Sequence, residues 1–134
     1  RLHLSHLRNP QRRKPLLRKQ RLRVSHPSKQ KGNRFEKECV DKAKAEGTPA
    51  VRAWGSNGRA LGMHEEVDAI IGHKSFRVQN KVRKSIASYM QPPESCDVAI
   101  IKQDRGEILV VMRYPLFLSM DKHLDDEFEI ERDE

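Results

Sequence analysis

Apolar side chains recur at helical spacing in the stretch that follows Gly32. Placed on a helical wheel at about 100° per residue, four of them fall within one arc. Asn33 belongs to the residue types that cap helix N-termini, and Gly47 is typical of a helix end. The pattern therefore predicts an amphipathic helix over residues 33–46. The four apolar residues are Phe35, Cys39, Val40 and Ala43.

Glu36 falls inside the apolar arc of this predicted helix. Two interpretations fit that position. In the first, the carboxylate points inward and needs a partner, because an unpaired buried charge is costly. In the second, Asn33 and Glu36 form a capping box, in which the acid reaches back to the backbone N–H of the cap.

Two strand-like runs flank the turn GHKS in the stretch VDAIIGHKSFRVQNK, residues 67–81. A four-residue loop pairs Ile71 with Phe76, and a two-residue loop gives the same register. In that register two pairs of polar residues lie opposite each other, with Cβ separations of about 4.5 to 5.5 Å. The two pairs are Asp68 with Gln79 and Glu66 with Lys81.

Strand alternation puts these four polar side chains on one face of the hairpin and an apolar set on the other. The polar face has two interpretations. It is either a functional cluster or a solvated surface that carries an ion pair between Glu66 and Lys81. The apolar set consists of Val67, Ala69, Phe76 and Val78.

The rest of the chain completes the pattern of one α/β domain. The glycine-rich segment GSNGRALG is either a plain turn or a loop whose backbone approaches a phosphate. The two runs around QDRG are apolar on both faces, which is typical of central strands. The predicted order αβββαββα gives a mixed central sheet flanked by helices. The remaining elements are a strand at 49–54, a helix at 82–90, strands at 96–102 and 107–112, and a helix at 114–124.

Charge is distributed unevenly along the 134 residues. Residues 1–31 contain 11 Lys and Arg and no acid, whereas residues 125–134 contain 7 acids and one Arg. The body at 32–124 has 15 basic and 12 acidic residues, a net charge of +3. We therefore expect a basic arm, one mildly basic domain and an acidic tail.

The basic arm has no regular apolar period, which is typical of a disordered segment. One interpretation is an electrostatic tether to nucleic acid, because each cation placed on a phosphate releases counterions. The other is that the arm is not native and that the protein starts near Val24, since the chain has no Met before Met63.

Cys39 and Cys96 form neither a metal-binding spacing nor a disulfide framework, which favours a reducing cytoplasm. No apolar run approaches the ~20 residues needed to cross a bilayer, and the N-terminus lacks the apolar centre of a signal peptide. The sequence therefore predicts a soluble cytoplasmic protein without membrane association.

Four fragments, taken in order, resemble the PD-(D/E)xK nucleases, and most closely the Holliday junction resolvases of archaea and phages. The fragments are KGNRFEKE, AVRAWGS, EVDAII and RVQNK, within residues 31–122. In that family a helical Glu, a Ser after an Arg-containing strand, a strand Asp and an acid-x-Lys pair follow one another in this order.

The resemblance implies a restriction-endonuclease-like core and a Mg²⁺-dependent endodeoxyribonuclease, with Mn²⁺ as a possible substitute. It implies a homodimer that cuts four-way or otherwise branched DNA during recombination, repair or phage DNA processing, in a bacterial, archaeal or phage-infected cell. The implied catalytic residues are Glu36, Asp68, Gln79, Lys81 and Ser56, of which Glu36, Asp68 and Gln79 bind the metal. The implied DNA-binding residues are Arg52, Ser56, Arg59, Arg83 and Lys84.

Two positions depart from the family pattern. Val67 stands where the motif has Pro, and Gln79 stands where Glu is more common. Two other functions also stay open, the second of them because of Gln79. One is a related nuclease that acts on nicks, flaps or ends. The other is a nucleic-acid-binding protein whose catalytic site has decayed.

Overall fold

The computed structural model describes residues 26–53, 55 and 57–132 of a small α/β protein. The chain divides into two units after Lys31. All helices and strands of the described residues, apart from the first residues of the N-terminal helix, belong to residues 32–134. The helices are α1 (Pro27–Ala45) and α2 (Tyr114–Asp121). The strands are β1 (Ala50–Arg52), β2 (Ala69–Ile71), β3 (Phe76–Val78), β4 (Val98–Lys102) and β5 (Ile108–Met112), and short 3₁₀ helices cover Gly58–Leu61 and Ser88–Met90.

Helix α1 begins at Pro27, six residues before the predicted cap. A proline suits the first turn of a helix because its φ is fixed near the helical value and its missing N–H would have no partner there. Asn33 therefore lies inside the helix, and the capping-box interpretation of Glu36 is wrong. The predicted end is nearly right, since α1 stops at Ala45 and Gly47 takes a left-handed φ of 76°. Neither α1 nor any other helix in the described ranges is long and apolar enough to cross a membrane.

Strands β1, β2 and β3 form an antiparallel sheet in that order. The hairpin has the predicted register, with Ala69 opposite Val78 and Ile71 opposite Phe76. Its turn closes where the N–H of Ser75 donates to the carbonyl of Gly72 at 3.1 Å. The local turn chemistry and the alternation of apolar positions are sufficient to fix this part of the fold.

The core lies on one face of this sheet, where side chains from α1 and α2 pack against β2. Ala69 and Ile71 point into it, as the alternation predicts, and Asp68 and Ile70 are only half buried. The side of β2 away from the two helices therefore carries Asp68. The buried cluster consists of Cys39, Val40, Ala43, Ala69, Ile71 and Leu118.

The predicted helix at 82–90 is wrong, because this stretch has only the 3₁₀ turn Ser88–Met90. Its apolar side chains are not buried, with Ile86 53% and Tyr89 72% exposed. A helix this short is marginal unless an apolar face packs against other elements. Pro92 also disfavours helical conformation in the residue before it.

Strands β4 and β5 form a separate antiparallel pair, with Ile100 opposite Val110. The prediction that they are central strands is wrong. Every ladder in the described part of the chain is antiparallel and the two sheets are separate, so no single mixed sheet is formed there. Apolar faces predicted burial for both strands, yet Ile100 is 67% and Ile108 is 66% exposed.

Asp121, at the end of α2, is fully buried and holds the turn of the first hairpin. Both of its carboxylate oxygens accept the backbone N–H of His73 at 3.1 Å, and the Nδ1 atom of His73 contacts Oδ2. The approach is close: a Cβ on Gly72 would lie 2.6 Å from Oδ1 of Asp121. The carboxylate thus fixes α2 against the end of β2.

Replacement of Asp121 by Ala should lower the free energy of unfolding by about 2–3 kcal/mol, because the variant lacks the hydrogen bonds to a buried charged group. Asp126→Ala is the matched control, since Asp126 is exposed and no hydrogen bond to its side chain is observed within the described ranges. Denaturant titration of both variants measures the difference. Equal midpoints would show that Asp121 does not stabilise the turn.

Candidate active site

Asp68 immediately precedes β2, and three hydrogen bonds fix its backbone and side chain. Its carbonyl accepts the N–H of Ala53 at 2.8 Å, and its own N–H donates to the carbonyl of Val78 at 2.8 Å. Its Oδ2 atom accepts the backbone N–H of Asn80 at 2.7 Å. The carboxylate therefore bridges the open end of the hairpin, beside the residues that follow β3.

The hydrogen-bond ladder between β2 and β3 shifts by one residue at Asp68. The register of β2 and β3 places Asp68 opposite Gln79, but the N–H of Asp68 bonds to Val78 instead. The segment after Val78 thus leaves the regular sheet, and the Asp68 side chain, bonded to Asn80, takes the place of a backbone partner. A pattern of apolar and polar positions contains no signal for such a shift.

Gln79 and Lys81 both have exposed side chains on this segment, and Asn80 between them is half buried. Gln79 and Lys81 are thus exposed and Asn80 is partly buried, as the alternation predicts, although residues 79–81 lie beyond the end of β3. The alternative ion pair between Glu66 and Lys81 is absent from the described residues. Glu66 instead lies beside His64, whose Nδ1 is 3.8 Å from its carboxylate.

Asn80 is a site residue that the sequence pattern did not single out. Its backbone holds Asp68, and its side chain interacts with the thiol of Cys39 on α1. Its Oδ1 atom is buried without a hydrogen-bond partner. The sequence signal that could have identified Asn80 is its position: a polar residue on the inward side of an alternating strand requires an explanation.

The groove between α1, the end of β3 and α2 contains Cys39, which is not a nucleophile at neutral pH. Burial, and secondarily the nearby Glu38, raises the pKa of the Cys39 thiol. The hydroxyl of Tyr114 donates to the carbonyl of Cys39 at 2.7 Å, and burial raises the pKa of Tyr114 to about 12. Both groups are therefore neutral at pH 7, and of the predicted site residues only Gln79 and Lys81 line this groove.

Glu36 is buried on α1, 6% exposed, as the inward-pointing interpretation predicts. Its Oε2 atom accepts a hydrogen bond from the guanidinium of Arg52 at 3.1 Å. Because Arg52 is the strand partner of Ala69, the ion pair lies one residue along β2 from Asp68. Arg52, predicted to contact DNA, is here two-thirds buried and is the partner of Glu36.

The predicted DNA-binding residues lie around this position with different degrees of exposure. Arg59 is exposed and pairs with Glu65 at 3.2 Å. Arg83 donates to the carbonyl of Val82 at 3.0 Å and Lys84 is exposed. Ser56 falls outside the described residues, so the structure gives no account of it.

The described part of the glycine-rich segment contains the 3₁₀ helix Gly58–Leu61, which packs against the residue before Asp68. A Cβ on Gly58 would lie 2.0 Å from the carbonyl oxygen of His64 and 2.8 Å from Cβ of Val67. The glycine is thus explained by close packing, which favours the plain-turn interpretation. The same packing places Arg59 near the start of β2.

A divalent metal fits the donor chemistry of these residues. The set offers two carboxylates, Asp68 and Glu36, and the amide oxygen of Gln79. Hard cations such as Mg²⁺ take oxygen ligands and keep several waters. Within the described ranges, no three His, Cys, Asp or Glu side chains are grouped as a metal site, so any metal here must rely on Gln79 and water as well.

Comparisons of the chain with protein-family models, curated proteins and solved structures gave no match. The resemblance to PD-(D/E)xK nucleases therefore depends on the residues and their spacing.

Proposed function

We propose that the protein is a Mg²⁺-dependent DNA endonuclease of the PD-(D/E)xK type, with a restriction-endonuclease-like core, that cuts branched DNA as a Holliday junction resolvase does. The observation that carries the proposal is the fixed carboxylate of Asp68 at the open end of the hairpin. Gln79 and Lys81 flank its hydrogen-bond partner with exposed side chains, and Glu36 is buried on α1, where it pairs with Arg52.

In this mechanism Asp68, Glu36 and Gln79 would hold Mg²⁺ or Mn²⁺, which when bound would supply a nucleophilic water and neutralise charge on the phosphate. Asn80 keeps the Asp68 carboxylate in place through its backbone N–H. The ammonium of Lys81 polarises the attacking water or stabilises the negative charge that develops on the phosphate oxygens. Hydrolysis adds the water to phosphorus and breaks one phosphodiester P–O bond.

The basic surface around the site suits a substrate bound by its backbone. Arg59, Arg83 and Lys84 are exposed, and phosphate contacts position DNA without reading its sequence. A mildly basic body of net charge +3 is consistent with such contacts. We therefore expect recognition of DNA shape rather than of bases. Paired cuts across a four-way junction require two sites, which a homodimer provides.

A catalytically decayed DNA-binding protein is the second candidate function. Two observations favour it. Gln79 replaces a charged ligand, and Glu36 Oε2 is engaged by the guanidinium of Arg52, so the negative charge available to a metal is reduced. A binding protein would keep the basic surface and lose cleavage.

The test is incubation of the protein with labelled four-way, flap, nicked and linear duplexes, with and without millimolar Mg²⁺ and Mn²⁺. We expect metal-dependent cleavage of four-way junctions. Preferred cleavage of nicks, flaps or ends would indicate the related nuclease instead. Binding without cleavage of any substrate would indicate the decayed site.

Deletion of residues 1–23 should weaken DNA binding and flatten its salt dependence if the basic arm is a tether. The slope of log K against log salt changes by about 0.9 for each DNA phosphate that the shortened protein no longer neutralises. Equilibrium binding at several salt concentrations gives the slope for both proteins. An unchanged slope would exclude the tether.

A further inference from the structure

The outer edge of β5 is unprotected against pairing with another strand. Residues 108–112, ILVVM, include no charged residue and no proline, the usual features that block an open strand edge. β5 pairs with β4 on one side, and no other strand in the described residues pairs with it. The first three side chains of β5 are also exposed, 66% for Ile108 and 54% for Val110, whereas Val111 and Met112 are half buried and line the groove that contains Cys39. By contrast, β4 lies beside the 3₁₀ helix Ser88–Met90.

The sequence around β5 is complementary to itself in the antiparallel direction. With Val110 opposite Val110 of a second copy, Ile108 faces Met112 and Glu107 faces Arg113. With Leu109 opposite Val111, four apolar pairs and two opposite-charge pairs then flank the centre symmetrically, and such cross-strand pairs stabilise a sheet. A twofold interface requires this self-complementarity.

Both charged residues are available for that pairing. Glu107 is exposed, and no hydrogen bond or ion pair of its side chain is found among the described residues. Arg113 is exposed and makes three hydrogen bonds, to the carbonyls of Pro92, Pro93 and Cys96. A guanidinium has more N–H donors than these three bonds use. Arg113 is thus held in place while it can still bind a carboxylate partner.

We propose that two copies of the chain pair through the outer edges of β5, antiparallel and centred on Val110, to form one continuous four-stranded sheet. The proposal specifies the interface of the homodimer named under the proposed function. It depends only on the edge, the apolar side chains and the charge pattern, so it stands or falls independently of cleavage.

A cysteine at the centre of the interface tests the register. In the Cys96→Ser background, Val110→Cys places two thiols directly opposite each other, at Cβ separations of about 4.5–5.5 Å, close to disulfide geometry. Ile108→Cys is the matched control on the same face of the strand. Its two copies would lie four residues apart along the strands, at least about 13 Å, out of reach.

Under mild oxidation with glutathione disulfide, we expect most of the Val110→Cys protein to run as a covalent dimer on a non-reducing gel. The Ile108→Cys protein should form at least about tenfold less, because its thiols are too far apart. Equal cross-linking of the two variants, or none with Val110→Cys, would overturn the proposed register.

Val110→Lys provides a second measurement without cysteine chemistry. Two ammonium groups would face each other at the centre, and like charges directly opposite destabilise a strand pair. The dissociation constant of the dimer should rise at least about tenfold by sedimentation or light scattering, whereas Ile86→Lys, an exposed apolar residue outside the hairpin, should leave it unchanged. A monomeric parent protein, or a dimer unaffected by Val110→Lys, would overturn the proposal. A protein that cross-links through Val110→Cys but whose parent cleaves no DNA would contradict the proposed nuclease function and leave the proposed interface standing.

Discussion

Asp68→Asn is expected to reduce Mg²⁺-dependent cleavage of branched DNA by at least about 100-fold, the loss typical of removing one group that stabilises transition-state charge. Asparagine keeps the shape of the side chain and an oxygen that can accept the N–H of Asn80, which Asp68 Oδ2 accepts at 2.7 Å. The hairpin should therefore stay folded. What the variant loses is the charge that holds the metal, so the effect should appear in the rate constant for cleavage.

DNA binding by Asp68→Asn should be unchanged or slightly stronger, because a negative charge is removed from a surface that faces phosphates. Asp104→Asn is the matched control, a carboxylate in the exposed turn between β4 and β5. Lys81→Ala should likewise abolish cleavage and spare binding. Single-turnover cleavage and equilibrium binding separate the two effects. Cleavage at the wild-type rate by either variant would show that the site lies elsewhere.

The part of the fold predicted correctly is the part determined by near neighbours in sequence. The register of Ala69 with Val78 follows from the turn and from period-two alternation. The start of α1 was wrong because Asn33 has good capping chemistry, yet Pro27 and the residues after it continue the helix N-terminally. Capping chemistry alone does not show whether a helix extends further.

The second hairpin was mispredicted for a different reason. Apolar residues on both faces of a strand indicate burial on both faces, but they do not say what covers them. In a single chain, Ile100 and Val110 are largely exposed. If two β5 strands pair as proposed, part of this apolar surface gains neighbours from a second copy. The prediction considered one chain alone, so it placed β4 and β5 in the centre of that chain's own sheet.

The burial of the candidate site residues could be predicted from the sequence, but their contacts could not. Alternation placed Gln79 and Lys81 on the outer side of the strand, and the helical wheel turned Glu36 inward. The hydrogen bond from the Asn80 backbone to Asp68 depends on a one-residue shift in the ladder. The ion pair of Glu36 with Arg52 joins residues 16 apart. No local pattern encodes either contact, because the first depends on where the ladder shifts and the second on the packing of α1 against the sheet.

Gln79 distinguishes a working nuclease from a decayed one, and Gln79→Glu is expected to lower the Mg²⁺ concentration for half-maximal cleavage by about tenfold. The amide oxygen of Gln79 is a neutral ligand, so the wild-type site has one negative charge fewer than a site with Glu and should bind Mg²⁺ more weakly. Gln79 is exposed, so the substitution adds a carboxylate without burying it.

Wild type should nevertheless cleave at millimolar Mg²⁺, because Asp68 and Glu36 supply the one or two carboxylates that Mg²⁺ generally takes from protein. Gln79→Ala should cleave more slowly than wild type, since it lacks both the oxygen ligand and its interaction with water. Arg77→Ala is the control, because Arg77 is the exposed residue of β3 two positions before Gln79. A Mg²⁺ titration of the cleavage rate for the four proteins measures the effect. Identical titrations for wild type and Gln79→Glu would exclude Gln79 as a ligand, whereas an inactive wild type revived by Gln79→Glu would establish the decayed, binding-only protein.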